Sequence, residues 1–449
     1  MINHPSLLLI LFLIMIIIGC SPTSESDWPN LPDIKGEWES VMTYGGSLED
    51  VAHGVITTSD GGFIVVGNTQ SMDGIFSTKT RVGSDLFVVK FNADVEIQWI
   101  QTYGGSSDDR GYDIVELENG YAIIGYSKSF DGDASLNKGQ HDNWLLRIDT
   151  GGNLLWEKSF GFLGHDHAYN IISTQDGGLF FNGFLDITAS DGSGMDGKKS
   201  NKGQKHGAGE FWCHKLDANG ILQWRRYFGG TSNDRSYDAI ETFEGDFVLV
   251  GSSESQDVDV SNPRGSYDAW IVKINSSGDF LWERSIGGSA YDIANAVIEN
   301  RKGDYVVLGQ SFSQDGDIDK PLGSSDVFLS TLSPSGELKS NKNIGNQGFD
   351  TANALLERPD GTLIFVGHTA PDILAAGENL LSNNVFIAHT LPNGSVINQY
   401  KLIGNNLDLG YDIAQLEEGK TIIVGSTKST LGDYPPTKGG TDFFIAILH

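Results

Sequence analysis

Cysteine is nearly absent. Cys20 and Cys213 are the only two in 449 residues, so no disulfide framework holds this chain together. Basic residues are also scarce. Lys+Arg number 30 against 59 Asp+Glu, for a formal net charge of -29. A phosphate backbone needs a positive surface, so nucleic acid is excluded as a partner. No stretch keeps a sustained helical period, which excludes a βαβ solenoid and a leucine-rich horseshoe. Long apolar runs are missing too, with one exception. Ser6 to Ile18 is almost continuously aliphatic. That is too short for a spanning helix and reads as the h-region of a signal peptide.

Gly19-Cys20 follows that run. The ending Ile17-Ile18-Gly19-Cys20 resembles a bacterial lipoprotein signal, although Met1 to Pro5 carries no Lys or Arg. The resemblance implies that residues 1–19 are removed and that Cys20 is lipidated. Residues 20–34 then form a tether, polar and marked by Pro22, Pro29 and Pro32. The expected location is the cell envelope, as a lipoprotein of the outer membrane of a Gram-negative bacterium. The lipid would be the only membrane attachment. Cys213, in the strand-like segment Phe-Trp-Cys-His, is then an unpaired, buried thiol.

What the chain has in quantity is repetition. A Tyr, Phe or Ile before a glycine recurs at Tyr44, Tyr103, Phe160, Phe228, Ile286, Ile344 and Ile403, in steps of 59, 57, 68, 58, 58 and 59 residues. Each unit shows four short strand signals separated by turn residues. In the second they are roughly Gly111–Glu116, Tyr121–Ser127, Asn143–Ile148 and Leu154–Ser159. Asn119-Gly120 and Thr150-Gly151-Gly152 supply tight reversals. The last unit stops after three strands, and roughly Lys35 to Met42 can provide the fourth. The expectation is an all-β, seven-bladed β-propeller of four-stranded antiparallel blades over residues 35–449, closed by the N-terminal strand.

Two aspartates and a tryptophan recur with the repeat. Asp50, Asp109, Asp166, Asp234, Asp292, Asp350 and Asp408 follow the glycine turn, and are expected to hold it by accepting backbone N–H bonds. A second acidic position, including Asp85, Asp142, Asp268, Asp326 and Asp442, precedes the third strand and is expected to cap a loop. Trp99, Trp156, Trp224 and Trp282 fall on outer strands and are expected to pack between blades.

Antiparallel strands put the blade-to-blade connections and the second-to-third loops on one face. That long-loop face is the expected recognition surface. It carries Asp108, Arg110, His165, His167, Arg235 and Tyr291, and an insertion at about 190–209 with Lys198, Lys199, Lys202, Lys205 and His206. His165 and His167 flank Asp166, a spacing that lets two imidazoles on a strand ligate a metal with Asp166 nearby. The loops containing Asp131 and Asp133, and Asp315, Asp317 and Asp319, alternate oxygen-bearing residues, and calcium is the cation they would take.

The segments Tyr103-Gly-Gly-Ser-Ser-Asp-Asp-Arg-Gly-Tyr-Asp-Ile and Phe228-Gly-Gly-Thr-Ser-Asn-Asp-Arg-Ser-Tyr-Asp-Ala-Ile resemble a bacterial β-propeller repeat family, frequent in secreted and surface lipoproteins of the Bacteroidetes type. The resemblance covers roughly residues 36 to 449 and implies the fold; it transfers no catalytic set. The D-x-x-G-x-x-x-W segments are similar to those of quinoprotein-like propellers, including the lipoprotein of the outer-membrane protein assembly machinery.

The leading functional expectation is a non-enzymatic scaffold that binds protein or carbohydrate at the cell surface through the long-loop face. No cofactor is required by that reading. The alternative is a glycan-acting hydrolase or lyase with an acidic site at the channel mouth, for which Asp109 and Asp292 are candidates.

Overall fold

The computed structural model describes residues 38–188, 206–207, 209–318, 320–370, 382–416 and 419–449. The signal sequence, Cys20, the tether, the inserted lysines and Asp319 lie outside the described residues. Seven four-stranded antiparallel sheets are present. Six are built from consecutive strands, as in Asp50–Thr57, Phe63–Thr69, Asp85–Phe91 and Ile97–Tyr103 for the first blade. The seventh takes Asp408–Gln415, Thr421–Thr427 and Asp442–Leu448 from the C-terminus and completes itself with Trp38–Tyr44. Tyr44 pairs with Phe443, and Trp38 with Leu448. The ring is therefore a seven-bladed β-propeller closed through its N-terminal strand. Closure removes the free sheet edges between first and last blades.

The second and third strands of each blade are buried on both faces, because neighbouring blades cover them. Their sequences are accordingly near-continuous apolar runs such as Phe63-Ile-Val-Val. Cys213 is one of these buried residues. The outer strands are mostly half-buried with exposed residues near their starts, and their tryptophans reach the adjoining blade. Trp224 Nε1 donates to Ser276 O at 3.2 Å, and Trp282 Nε1 to Pro334 O at 3.1 Å. The facing turn glycine lies against each ring. A Cβ on Gly220 would come within 2.6 Å of Trp156, and one on Gly152 within 3.0 Å of Trp99.

The first recurrent aspartate is buried at every junction. Asp109 accepts from Gly105 N at 2.8 Å, Ser127 Oγ at 2.5 Å and Ser129 Oγ at 2.6 Å. The same Ser/Thr-x-Ser pair serves Asp50, Asp234, Asp292 and Asp408. The third blade departs from it: Asp166 accepts only the amides of Phe162 and Asp186. The second aspartate caps its loop with one oxygen, as Asp142 does for Lys138 N at 2.7 Å. Its other oxygen, in Asp85, Asp142, Asp268, Asp326 and Asp442, has no hydrogen-bond partner. It faces the first aspartate of the next blade across a glycine. Burial, helped by Asp109, pushes the Asp85 carboxyl up to about 7.

Each first strand carries a β-bulge, at Ala52/Gly54 in the first blade and Ala168/Asn170 in the third. A bulge frees an amide from the ladder, and a buried amide needs an acceptor. The preceding blade supplies it. Asp412 accepts from Val55 N at 2.7 Å, Asp113 from Ile171 N at 2.8 Å and Asp238 from Val297 N at 2.8 Å. Asn295 and Asn353 make related links by donating to Ala352 O and Gly410 O. These residues line a central cavity of about 260 Å³. One layer nearer the long-loop face, Tyr411, His53, Tyr112, Tyr169 and Tyr237 form a collar with neighbouring ring centroids 4.8 to 5.6 Å apart.

Candidate functional site at the channel mouth

The residue before the third-strand aspartate of one blade meets the residue before the first-strand aspartate of the next. A parallel bridge joins them at all seven junctions: Glu49 with Thr441, Ser84 with Asp108, His141 with His165, Gly209 with Asn233, Tyr267 with Tyr291, Ser325 with Phe349, and Asn383 with Leu407. Strand geometry holds two residues next to each other in each slot, and in all but the Gly209 slot both carry side chains. Only between the second and third blades are both of them histidine. The bridge is fixed there by Asp166 N donating to His141 O at 2.8 Å.

His167 opens the first strand of the third blade, His167–Ser173, and adds a third imidazole. His141 Nδ1 lies 3.0 Å from His167 Nε2 and 3.1 Å from His165 Nδ1. All three ligand atoms fall within 4.8 Å of one another. A tetrahedral zinc ion with Zn–N bonds of about 2.0–2.1 Å separates its nitrogens by roughly 3.3 Å. Two of the three edges are already near that value. Burial, then the neighbouring imidazoles, depress His141 to about 4 and His167 to about 3. Both are neutral at neutral pH, the state in which imidazole ligates a metal. No other cluster of three His, Cys, Asp or Glu among the described residues has such geometry.

Aromatic rings hold the imidazoles in place. Tyr126 stacks on His141 at 4.6 Å and Phe184 on His167 at 5.0 Å. Tyr126 OH donates to Asp108 at 3.1 Å, and Asp108 takes a two-pronged contact from Arg110 at 3.0 and 3.1 Å. Arg110 and Arg235 occupy the same place in the second and fourth blades as His167 in the third, one residue past the recurrent aspartate. Arg235 is exposed and lies over Phe184, 4.9 Å from its ring centre. Beside Asp108 and Arg110 opens a cavity of about 450 Å³ with Leu48, Met72 and Val82 in its wall.

Asp108, Arg110, His165, His167 and Arg235 therefore share one sector of the mouth. Tyr291 does not. It pairs with Tyr267 at 4.9 Å, at the junction of the fourth and fifth blades. Asp166 turns away from the imidazoles into its own turn, and His141 takes the place beside them that sequence spacing assigned to it. His141 was missed because it is 24 residues from His165. Aligning the residue before each recurrent aspartate would have exposed the pair. His206, the one described residue of the inserted cluster, is buried against Glu210 at 2.7 Å.

The acidic loops are occupied by other contacts. Asp131 accepts from Ser106 N and Asp315 from Ser289 N, each at 2.7 Å. Asp133 pairs with Arg81 at 2.9 Å and Asp317 with Arg264 at 3.2 Å. Asp109 and Asp292 are fully buried in their turns, out of reach of a glycan at the mouth. Three imidazoles suit a transition metal better than calcium, which takes oxygen ligands.

No family model matches the chain. A 200-residue stretch, 42% of the chain, is 24% identical to the regulatory protein FlaEY of Caulobacter vibrioides and spans 20% of that protein's length. Among solved structures, the WD40 domain of Pan2 from Neurospora crassa aligns over 89% of each chain, with a TM-score of 0.46 and 8% identity. The β-propeller domain of the Trilobed protease from Pyrococcus furiosus aligns over 90% of this chain and 93% of its own, with a TM-score of 0.45 and 10% identity. None of these likenesses bears on activity. The chain is a β-propeller, a fold able to serve surface interaction or catalysis, with one histidine cluster able to coordinate a metal ion.

Proposed function

We propose that this protein is an extracytoplasmic propeller that engages its ligand through a single transition-metal ion held by His141, His165 and His167. The observation that carries the reading is the convergence of three imidazoles from two blades at the channel mouth. Three protein ligands leave a fourth coordination position for a ligand atom. The adjoining cavity, with Leu48, Met72 and Val82, would take an apolar part of the same molecule. Calcium has no place in this reading. If Cys20 is lipidated, the tether reaches the propeller at Trp38, whose partner Leu448 marks the short-turn end of the last blade. The long-loop face would then point away from the membrane and toward a surface protein or glycan.

The open coordination position favours a second reading, hydrolysis by metal-activated water. It replaces a two-carboxylate glycan mechanism, since the candidate carboxylates Asp109 and Asp292 are buried.

The test is titration of the purified protein with Zn2+ by calorimetry and with Co2+ by visible absorption. One ion per chain is expected, with tetrahedral Co2+ bands. His141→Ala and His165→Ala should each weaken binding by about a hundredfold or more. Equal affinity in the wild type and His141→Ala, or no uptake, would overturn the reading. Ion-dependent turnover of a glycan or ester that His165→Ala abolishes would select hydrolysis.

A further inference from the structure

We propose that the ligand completing this centre is an oxyanion, a carboxylate or phosphate group, and that Arg235 is its second anchor. The proposal rests on the metal reading above and adds the chemical class of the ligand.

The repeat supplies the comparison. In the second blade, Arg110 stands two residues after Asp108, which neutralises it with a two-pronged contact. In the fourth blade the same two slots hold Asn233 and Arg235. The carboxylate has become an amide, and that amide is turned to Glu254 at 3.0 Å. Glu254 is also held by Tyr267 OH at 3.1 Å. Among the described residues, Arg235 forms no ion pair. It keeps its charge exposed, on Phe184, whose ring stacks on His167. In a chain of formal net charge -29, an exposed guanidinium with no carboxylate partner is a local exception. It stands beside the three imidazoles.

The chemistry of the two groups agrees. A metal ion on neutral imidazoles keeps its full double positive charge, which favours an anionic fourth ligand. A guanidinium offers a planar fork of donors that matches carboxylate or phosphate oxygens. One oxygen of the ligand would go to the metal and another to Arg235. Arg110 is held by Asp108 and would contribute less. The site thus selects an oxyanion locally although the protein as a whole repels one.

The experiment titrates inorganic phosphate, and separately acetate, into the Zn2+-loaded protein, using wild type, Arg235→Gln and Arg235→Lys. The side chain is exposed, so all three should fold, and circular dichroism checks this. Phosphate or acetate should bind the loaded wild type and bind Arg235→Gln about tenfold or more weakly. Arg235→Lys should recover part of the loss, and Zn2+ affinity should stay within about twofold in all three. The anion that binds more tightly identifies the class. Zinc uptake without binding of either anion, or equal binding by Arg235→Gln, overturns the oxyanion assignment and leaves the metal centre standing. Absence of zinc uptake by the wild type overturns both.

Discussion

Asp412→Asn tests the account of the central channel. Asp412 accepts from Val55 N at 2.7 Å and Ile413 N at 2.8 Å. It tethers the seventh blade to the first, while Asp113 and Asp238 do the same elsewhere in the ring. Its side chain touches channel solvent but is surrounded by protein. Burial, then the charges of Asp113 and Asp238, push its carboxyl from 3.8 up to about 8. A carboxyl raised on folding stabilises the protein fully below the unfolded value. That stability is lost as pH rises from about 4 through about 8. Over the roughly three units between pH 5 and pH 8 the unscreened loss would be about 4 kcal/mol at 1.36 kcal/mol per unit. Channel water screens the group, so about 2 kcal/mol is expected. Asparagine carries no charge but can accept only one of the two amides, a loss of about 1 kcal/mol. Urea unfolding should therefore show the variant less stable than wild type at pH 5 by about 1 kcal/mol, and more stable at pH 9 by a similar amount. Asp113 and Asp238 lose the repulsion of Asp412 in the variant, which acts in the same direction, and the more distant raised carboxyls shift both proteins alike. Parallel stability profiles across this range, or a wild type that gains on the variant as pH rises, would refute the reasoning.

Three further outcomes follow from the blade junctions. Ser129→Ala removes a hydroxyl donor from buried Asp109 and should cost about 1–2 kcal/mol in urea unfolding, with strand content unchanged by circular dichroism. Gly104→Ala would place a Cβ 2.6 Å from Asp85 Oδ1 and 2.9 Å from Asp109 Oδ2. It should destabilise by about 2–3 kcal/mol, and a neutral effect would show that the two carboxylates move apart freely. Trp282→Ala loses the bond to Pro334 O and the cover on Gly336. About 2–3 kcal/mol is expected, whereas Lys339→Ala, on the fifth blade's outer strand, which lacks a tryptophan, should change little.

The architecture was readable because it is written seven times. Glycine turns, apolar runs and two aspartates return at nearly fixed spacing, and five of the seven first aspartates take the same Ser/Thr-x-Ser hydroxyls. The partners of those aspartates were not read. Ser127 and Ser129 lie at the end of the next strand, close to Asp109 only once the hairpin has formed. The bulge that gives Asp113, Asp238 and Asp412 their amide partners likewise has no signature within one strand. It is a mismatch in register between two.

The site was half legible for a related reason. A repeat fixes where side chains go but leaves the residue at each position free. Function can therefore enter as a departure at one slot out of seven. His165 and His167 stood out because they are two residues apart in sequence, and Asp166 between them drew the metal reading toward a carboxylate. The folded chain turns that carboxylate inward, since its position belongs to the scaffold. It brings in His141 from the preceding blade, since that slot always faces the next blade. Arg235 repeats the lesson. Its arginine matches Arg110, and the informative residue is Asn233, which withholds the neutralising charge. In a symmetric fold the functional signal lies in comparing equivalent positions around the ring, where one pair of imidazoles and one arginine without a neighbouring carboxylate mark the same sector.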